Sequence, residues 1–250
     1  MGLFSRIFSK KELTIEPIDL SFLRNDIHSH LIPGIDDGSP DMETTIMLLK
    51  RFIDLGYKKV ITTPHVMSDY YKNTPEIILS GLDKVKTEII KNNLSIEIEA
   101  AAEYNLEPEF EDLLEKNNLL TFGPEKYLLF ELSFFDEPPR VNEVIWKMRE
   151  KGVSPVLAHV ERYAYWHKNY DKIEEMINRG VKLQLNIGSI TGAYGPEVKK
   201  VADRLIIDKV IDFVGSDCHH EQHLEMISHA TRLPIFHSLV QQEQILNKSL

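Results

Sequence analysis

The chain has 250 residues, a formal net charge of −10, 42% hydrophobic and 27% charged residues. This suits one soluble globular core, and the acidity excludes a general binder of nucleic acid or anionic membrane. A single cysteine excludes a disulfide framework and fits a reducing compartment, and no apolar run approaches the ~20 residues of a membrane span.

The opening MGLFSRIFSKKEL is short, weakly apolar and basic. It lacks the apolar core and cleavage site of a secretory signal, and Arg6 stands where N-myristoylation needs Ser or Thr. Residues 1–25 are expected to be a tail and 26–250 a single domain. NDIHSH is the first short strand. A helix then follows, with Ser39 as its cap, Pro40 in its first turn and Met42, Ile46, Leu49 and Ile53 on one apolar face, until Gly56. KKVITTPH is short and β-branched, a buried strand ending at Pro64. Thr74-Pro75 opens a helix with Ile78, Leu82, Val85 and Ile89 on one side. The alternation continues: strand SIEIEAAAE, helix 108–117, strand YLLFELS, helix 140–151, strand VSPVLAHV, helix 170–179, strand KLQLNIGSI, helix 196–209 and strand VIDFVGSD.

Seven strands alternating with helices predict an α/β fold with a parallel sheet. No Gly/Ser-rich or Pro-rich linker divides it. The polar residues decide between an open sheet and a barrel. His28, His30, His65, Glu103, Glu131, His159, Asp217 and His219 fall at the C-terminal ends of six of the seven strands. An open sheet gathers few strand ends at its crevice; a barrel gathers all of them at one mouth. The residues therefore favour a barrel. His28 shares a strand face with His30, as does Asp217 with His219, while Cys218 points the other way. Buried carboxylates need a partner or a metal. The acidic turn IPGIDDGSPD, with Gly34 and Gly38 for tight backbone, brings a further carboxylate back over the mouth.

DIHSH, TPH, AAEY, FEL, AHVERY and GSDCH, in this order from about Asp26 to His223, resemble the PHP (polymerase and histidinol phosphatase) family. HSHLIPGIDDGSPD and HVERY are most similar to its bacterial manganese-dependent tyrosine-protein phosphatases, which regulate capsule and exopolysaccharide synthesis. The resemblance implies a distorted (β/α)7 barrel holding three divalent metal ions. It places His28, His30, Glu103 and Asp217 on the first; Glu103, Glu131 and His159 on the second; and Asp37, His65 and His219 on the third. Asp36 is the alternative to Asp37. Arg162 matches the family's phosphate-binding arginine. The family's asparagine and second basic residue after the last metal histidine are missing; His220 and His223 stand there as candidates for that contact.

Histidine and carboxylate ligands without thiolate suit Mn²⁺, with Fe²⁺ or Zn²⁺ as alternatives. Three such ions against four carboxylates leave about +2, which draws a phosphate dianion into an otherwise acidic protein. The implied activity is hydrolysis of phosphotyrosine by metal-activated hydroxide. The implied substrate is a membrane-bound autophosphorylating tyrosine kinase of polysaccharide export, with the phosphatase in the cytoplasm near the inner membrane and an oligomer possible. A phenolate of pKa ~10 leaves with little help, whereas an alkoxide needs an acid. Phe134, Phe135, Tyr104 and Tyr194 are candidates for an aromatic pocket wall. The alternatives are a small-molecule phosphatase of the histidinol-phosphatase type and a non-catalytic PHP module. A cysteine-based phosphatase needs an arginine six residues beyond its nucleophile; Leu224 stands there after Cys218. His167, His229 and His237 read as surface or packing residues.

Overall fold

The computed structural model describes residues 13–250. Its strands are β1 (Asn25–Asp26), β2 (Lys59–Thr62), β3 (His65–Val66), β4 (Glu97–Ala100), β5 (Glu103–Asn105), β6 (Tyr127–Glu131), β7 (Ser154–Leu157), β8 (Lys182–Asn186) and β9 (Phe213–Gly215). They form two ladders, β1-β2-β4 and β3-β5-β6-β7-β8-β9, and the neighbouring strands within them run parallel. Pro64, which lacks an N–H, interrupts one strand between β2 and β3. The next strand breaks at Ala101 and Ala102 between β4 and β5. Pairing still crosses both breaks: Ala101 N–H donates to Thr62 O and Glu103 N–H to Pro64 O. The nine segments are thus seven strand positions in sequential order.

The last position returns to the first. Ser29 and Cys218 form a parallel bridge, and His30 N–H donates to Cys218 O while Asp217 N–H donates to His28 O. This closes a distorted (β/α)7 barrel, a single-domain α/β fold. The strand faces explain its filling. Ala101 shares a face with Glu103, and Leu129 with Glu131. The apolar members pack with Ile61, Val156, Phe122, Tyr127 and Phe213 in a small cluster inside the barrel. Helices pack outside in a larger cluster. Polar residues continue the same inner faces towards the mouth.

The helices hold close to expectation. α1 (Met42–Asp54), α2 (Pro75–Lys91), α3 (Pro108–Glu115), α4 (Val141–Glu150) and α5 (Asp171–Asn178) lie where helices were expected. α2 buries its anticipated face, whereas α1 buries Ile46 and Leu49 together with Leu48 and Phe52 and leaves Met42 and Ile53 half-buried. Asp41, not Ser39, caps α1: its carboxylate accepts from Thr44 N–H at 2.8 Å, and Pro40 lies outside the helix. Ser39 Oγ instead accepts from Thr45 Oγ1 at 2.8 Å. The strand expected over KLQLNIGSI ends at Asn186, whose side chain accepts from Gly188 N–H and turns the chain into the short α6 (Ile187–Ile190). α7 (Pro196–Ile207) follows, then α8 (Glu221–Ala230) and α9 (Pro234–Val240) after the last strand.

The boundary drawn at residue 25 does not match where packing begins. Ile15 N–H donates to Arg232 O, Ile18 N–H to Thr231 O, and Leu20 and Leu23 are buried in the main core. The first part of the expected tail, residues 1–12, lies outside the described residues. Among the described residues no helix is long and apolar enough to cross a membrane.

Candidate metal centre

The ladder registers bring the candidate ligands together. His65 pairs across from Glu103, and Glu131 stands two residues beyond Leu129, the partner of Glu103, so β3, β5 and β6 deliver a histidine and two carboxylates near the same end of the sheet. His159 follows β7, and Asp217 and His219 follow β9. His159 and Asp217 have φ values of 33° and 50°. Such left-handed backbone costs non-glycine residues about 1–2 kcal/mol, and it turns both side chains at the barrel rim.

Gly38 lets the acidic turn fold over the mouth. A Cβ there would stand 2.2 Å from His30 O and 2.4 Å from His30 Cβ. Ser39 N–H donates to His30 O, and Gly34, at φ +72°, donates its N–H to Ser39 O. Asp37 is thereby returned to the cluster.

Three overlapping groups result. His28 Nε2 lies 3.2 Å from Glu103 Oε2 and 3.4 Å from Asp217 Oδ1; His30 Nε2 is 3.5 Å from each. His65 Nδ1 is 3.2 Å from both Glu103 Oε2 and Glu131 Oε1, and His159 Nε2 is 3.0 Å from Glu103 Oε1. Asp37 Oδ1 lies 3.6 Å from His65 Nε2 and 3.4 Å from His219 Nε2. Glu103 meets His28 and His30 on one side and His65 and Glu131 on the other, and so belongs to two candidate metal-binding groups. All nine sequence-predicted ligands converge here.

The donors fit cations. His28 Nδ1 pairs with Gln184 Oε1 at 3.0 Å, and His30 Nδ1 with Asp36 Oδ2 at 2.8 Å. Each Nδ1–H is thus committed as a donor, which leaves two Nε2 lone pairs facing each other at 3.3 Å. That contact needs a proton or a cation. Glu103 Oε2, Glu131 Oε1, His65 Nδ1 and His159 Nδ1 are buried without a hydrogen-bond partner. Burial opposes charge on His28, yet Glu103 and Asp217 push its pKa up to about 9. Burial likewise opposes the Glu103 and Asp217 carboxylates, but the histidines hold both well below the usual carboxylate range. The set therefore demands positive charge, and nitrogen and oxygen donors suit divalent Mn, Fe or Zn.

Neighbouring residues hold the donors in place: Asp36, expected only as an alternative ligand, and Gln184, Asn186 and Glu161, whose roles sequence reasoning missed. Asp36 accepts from Gly38 N–H and His65 N–H besides pairing with His30. It is a support, which leaves Asp37 to face the other imidazoles. Gln184 Oε1 also accepts from His159 N–H at 2.8 Å. Asn186 Nδ2 donates to Asp217 Oδ2 at 2.8 Å. Buried Glu161 accepts from Ser189 Oγ and Asn186 N–H, tying the turn after β7 to α6. The sixth strand, which lacked an obvious ligand, thus supplies support instead. Its signal was Gln184 and Asn186 two apart in KLQLN, on one face.

A cavity of about 310 Å³ opens above the cluster, lined by Phe134, Arg162, Tyr194, His220 and His223 among others. Arg162 Nη1 donates to Asp217 Oδ2 at 3.0 Å. Its guanidinium carbon lies 4.8 Å from the Phe134 ring centre and 4.6 Å from that of Tyr194. The His220 and His223 ring centres lie 3.9 Å apart with the rings tilted by 32°, and His223 Nδ1 accepts from His219 N–H. Burial, then His220, holds His223 at about 4, so the ring is neutral and Nε2–H remains a donor. Of the other aromatic candidates, Tyr104 is buried in the core with its Oη accepting from Leu120 N–H, and Phe135 stands in water. Cys218 is buried in the core, and burial followed by Asp26 and Asp217 pushes its thiol well up. His167 and His237 are tied to backbone carbonyls.

Known proteins resemble this chain in sequence and in fold. Tyrosine-protein phosphatase YwqE of Bacillus subtilis is 30% identical over 195 residues, covering 78% of this chain and 77% of its own. Tyrosine-protein phosphatase CpsB of Streptococcus pneumoniae is 27% identical over 203 residues, covering 78% and 82%. A solved structure from work on YwqE and CpsB, described as unique metal-dependent tyrosine phosphatases, superposes with a TM-score of 0.79 at 27% identity over 90% of each chain. The family model for capsular polysaccharide synthesis proteins of the CpsB/CapC type matches residues 24–231, and the chain belongs to that family.

Proposed function

We propose that the protein is a metal-dependent tyrosine-protein phosphatase acting in capsular or exopolysaccharide synthesis. The carrying observation is the convergence of His28, His30, Asp37, His65, Glu103, Glu131, His159, Asp217 and His219 beneath one cavity that also holds Arg162. The relatives' names and their family support the substrate class.

His28, His30, Glu103 and Asp217 would hold one divalent ion; Glu131 and His159, with Glu103 shared, a second; Asp37, His65 and His219 a third. Mn²⁺ is the proposed metal. When bound, such ions supply Lewis acidity and lower the pKa of water towards ~7. The chain's own groups do the rest. Arg162, steadied by Asp217 and two aromatic rings, directs its remaining N–H groups at phosphate oxygens. The His223 Nε2–H and the His220 ring offer the second contact that the family's missing basic residue would make. Phe134 and Tyr194 wall the space for a tyrosyl ring. The cavity residues named here include no dedicated acid for the leaving group, which suits a phenolate of pKa ~10. The proposed substrate is a membrane-bound autophosphorylating tyrosine kinase, met in the cytoplasm.

Metal analysis of the purified protein, followed by turnover of a phosphotyrosine peptide, a phosphoserine peptide and histidinol phosphate, tests this reading. Phosphotyrosine is expected to be far the fastest. Faster hydrolysis of histidinol phosphate would overturn it.

A further inference from the structure

We propose that the protein grips its phosphoprotein substrate outside the cavity, on an aromatic rim of Phe135 and Tyr70. It would then read an extended polypeptide with apolar side chains beside the phosphotyrosine, and not the phosphotyrosyl group alone. This rests on the phosphatase reading above.

Phe135 is 96% exposed and Tyr70 81%, the two most exposed large hydrophobic side chains among the described residues. Both stand next in the chain to a ring that packs on a candidate ligand. Phe134 stacks on His159 at 5.4 Å, and Tyr71 on His65 at 5.6 Å. Of the other strongly exposed apolar residues, Ile90 on α2, Trp146 on α4 and Ile207 on α7 belong to helices of the outer layer, and Leu13 lies at the start of the described residues.

Both loops are tied down. Phe135 N–H donates to Ser133 Oγ, and Ser133 O accepts from Tyr165 Oη. Glu137, at the far side of that loop, accepts from Trp166 Nε1 and Lys172 Nζ. In the other loop Met67 and Tyr71 exchange backbone hydrogen bonds, and Asn73 Nδ2 donates to Ile35 O and His65 O. Two aromatic rings are thus mounted in water on fixed backbone beside the cavity. Packing within the chain gives Phe135 no reason to be phenylalanine. Aromatic anchors with little conformational freedom lose little entropy on binding and commonly dominate an interface. The continuity of the Phe134 wall with Phe135 selects the occupant: the chain on either side of the residue that enters the cavity.

The test compares two esters in the metal-loaded protein: p-nitrophenyl phosphate, which has no flanking chain, and a phosphotyrosine peptide with apolar neighbours. Phe135→Ala should raise KM for the peptide about tenfold with kcat kept. It should leave p-nitrophenyl phosphate hydrolysis within about twofold, because Phe135 does not line the cavity. Tyr70→Ala should act in the same direction, and Phe135→Tyr should retain most of the peptide preference. Equal losses on both esters, or no change on either, would overturn the rim. Self-association lost in Phe135→Ala with an unchanged peptide KM would overturn it in favour of a second copy as the occupant. Failure of the phosphatase reading looks different: the wild-type protein would hydrolyse neither ester.

Discussion

Gly38→Ala should damage the centre without touching a ligand. The added methyl carbon would sit 2.2 Å from His30 O and 2.4 Å from His30 Cβ, where ordinary contact begins near 3.4 Å. Backbone must therefore move by roughly 1 Å or more, and no flexible side-chain end can absorb the clash. The displaced turn carries Asp36, which orients His30 and receives His65 N–H, and Asp37, which faces His65 and His219. A misplacement of ~1 Å in a catalytic arrangement costs about a hundredfold. The variant should lose at least one metal equivalent and about a hundredfold in kcat/KM, with overpacking costing ~1–3 kcal/mol of stability. Gly152→Ala is the control. Gly152, unlike Gly38, has positive φ, at 75°, and its Cβ would meet nothing within 4 Å. It should lose stability and keep metal and activity. Elemental analysis, kinetics and thermal melts on the two variants separate strain from site damage. If Gly38→Ala kept full metal content and wild-type kcat/KM, the proposed role of the acidic turn would be wrong.

Glu103→Ala should lose at least one metal and nearly all turnover, since this carboxylate belongs to two ligand groups; normal metal content with near-normal kcat would refute the assignment. Arg162→Ala should cost on the order of 10²–10³ in rate, and Arg162→Lys should recover part of it; metal content should stay, because Asn186 still holds Asp217. Wild-type kcat/KM in Arg162→Ala would end the clamp role. Chelation should abolish activity and Mn²⁺ restore it, while Cys218→Ser retains turnover; a loss above about a hundredfold with metal still bound would restore a thiol mechanism. The metal-free protein should also show an inverted pH profile. Burial opposes charge on His28, but Glu103 and Asp217 raise its pKa from 6.5 to about 9. That stabilisation is complete below pH 6.5 and is lost as pH rises through 9. The Tm of the chelated protein should fall across this window, whereas the same deprotonation favours metal binding. A rising Tm over that window would contradict the assigned charge balance.

The candidate ligands stood out in the sequence because their chemistry is scarce. Histidine and glutamate at successive strand ends are poor choices for a core, so His65, Glu103, Glu131 and His159 stood out against apolar strands. The barrel followed from where they stood. Their supports were harder to read, because Gln184, Asn186 and Asp36 do work that ordinary loop and strand residues also do. What marks Gln184 is that one oxygen meets both His28 and His159, 156 and 25 residues away. Spacing along the chain cannot express that coincidence. Asp36 and Asp37 were inseparable for a related reason: neighbours in a turn point apart, and only the return over His30 decides which faces the imidazoles. The left-handed backbone at His159 and Asp217 carried no glycine to announce it. Ser39 misled as a cap because Asp41, two residues later, offers an equally good acceptor nearer the helix.

The weakest join in the barrel also lies beside the centre. The first and last strand positions meet through one isolated bridge, Ser29–Cys218, where other neighbours share a ladder. Polar side chains compensate below it. Asp26 accepts from the N–H and Oγ of Ser216, and Asn247 bonds the backbone of both Asn25 and Val214. Above the bridge, the groups that meet across the seam are His28 and His30 from one side and Asp217 and His219 from the other. In the proposed centre, an ion shared by His28, His30 and Asp217 joins two strands that the backbone holds only lightly. Metal binding is then linked to closure of the barrel, since binding energy won only in the closed form adds to its stability. The same link explains why the ligands can be so crowded. Facing imidazole Nε2 atoms and buried carboxylates crowd together at a seam which the lower bonds of Asp26 and Asn247 already keep in register.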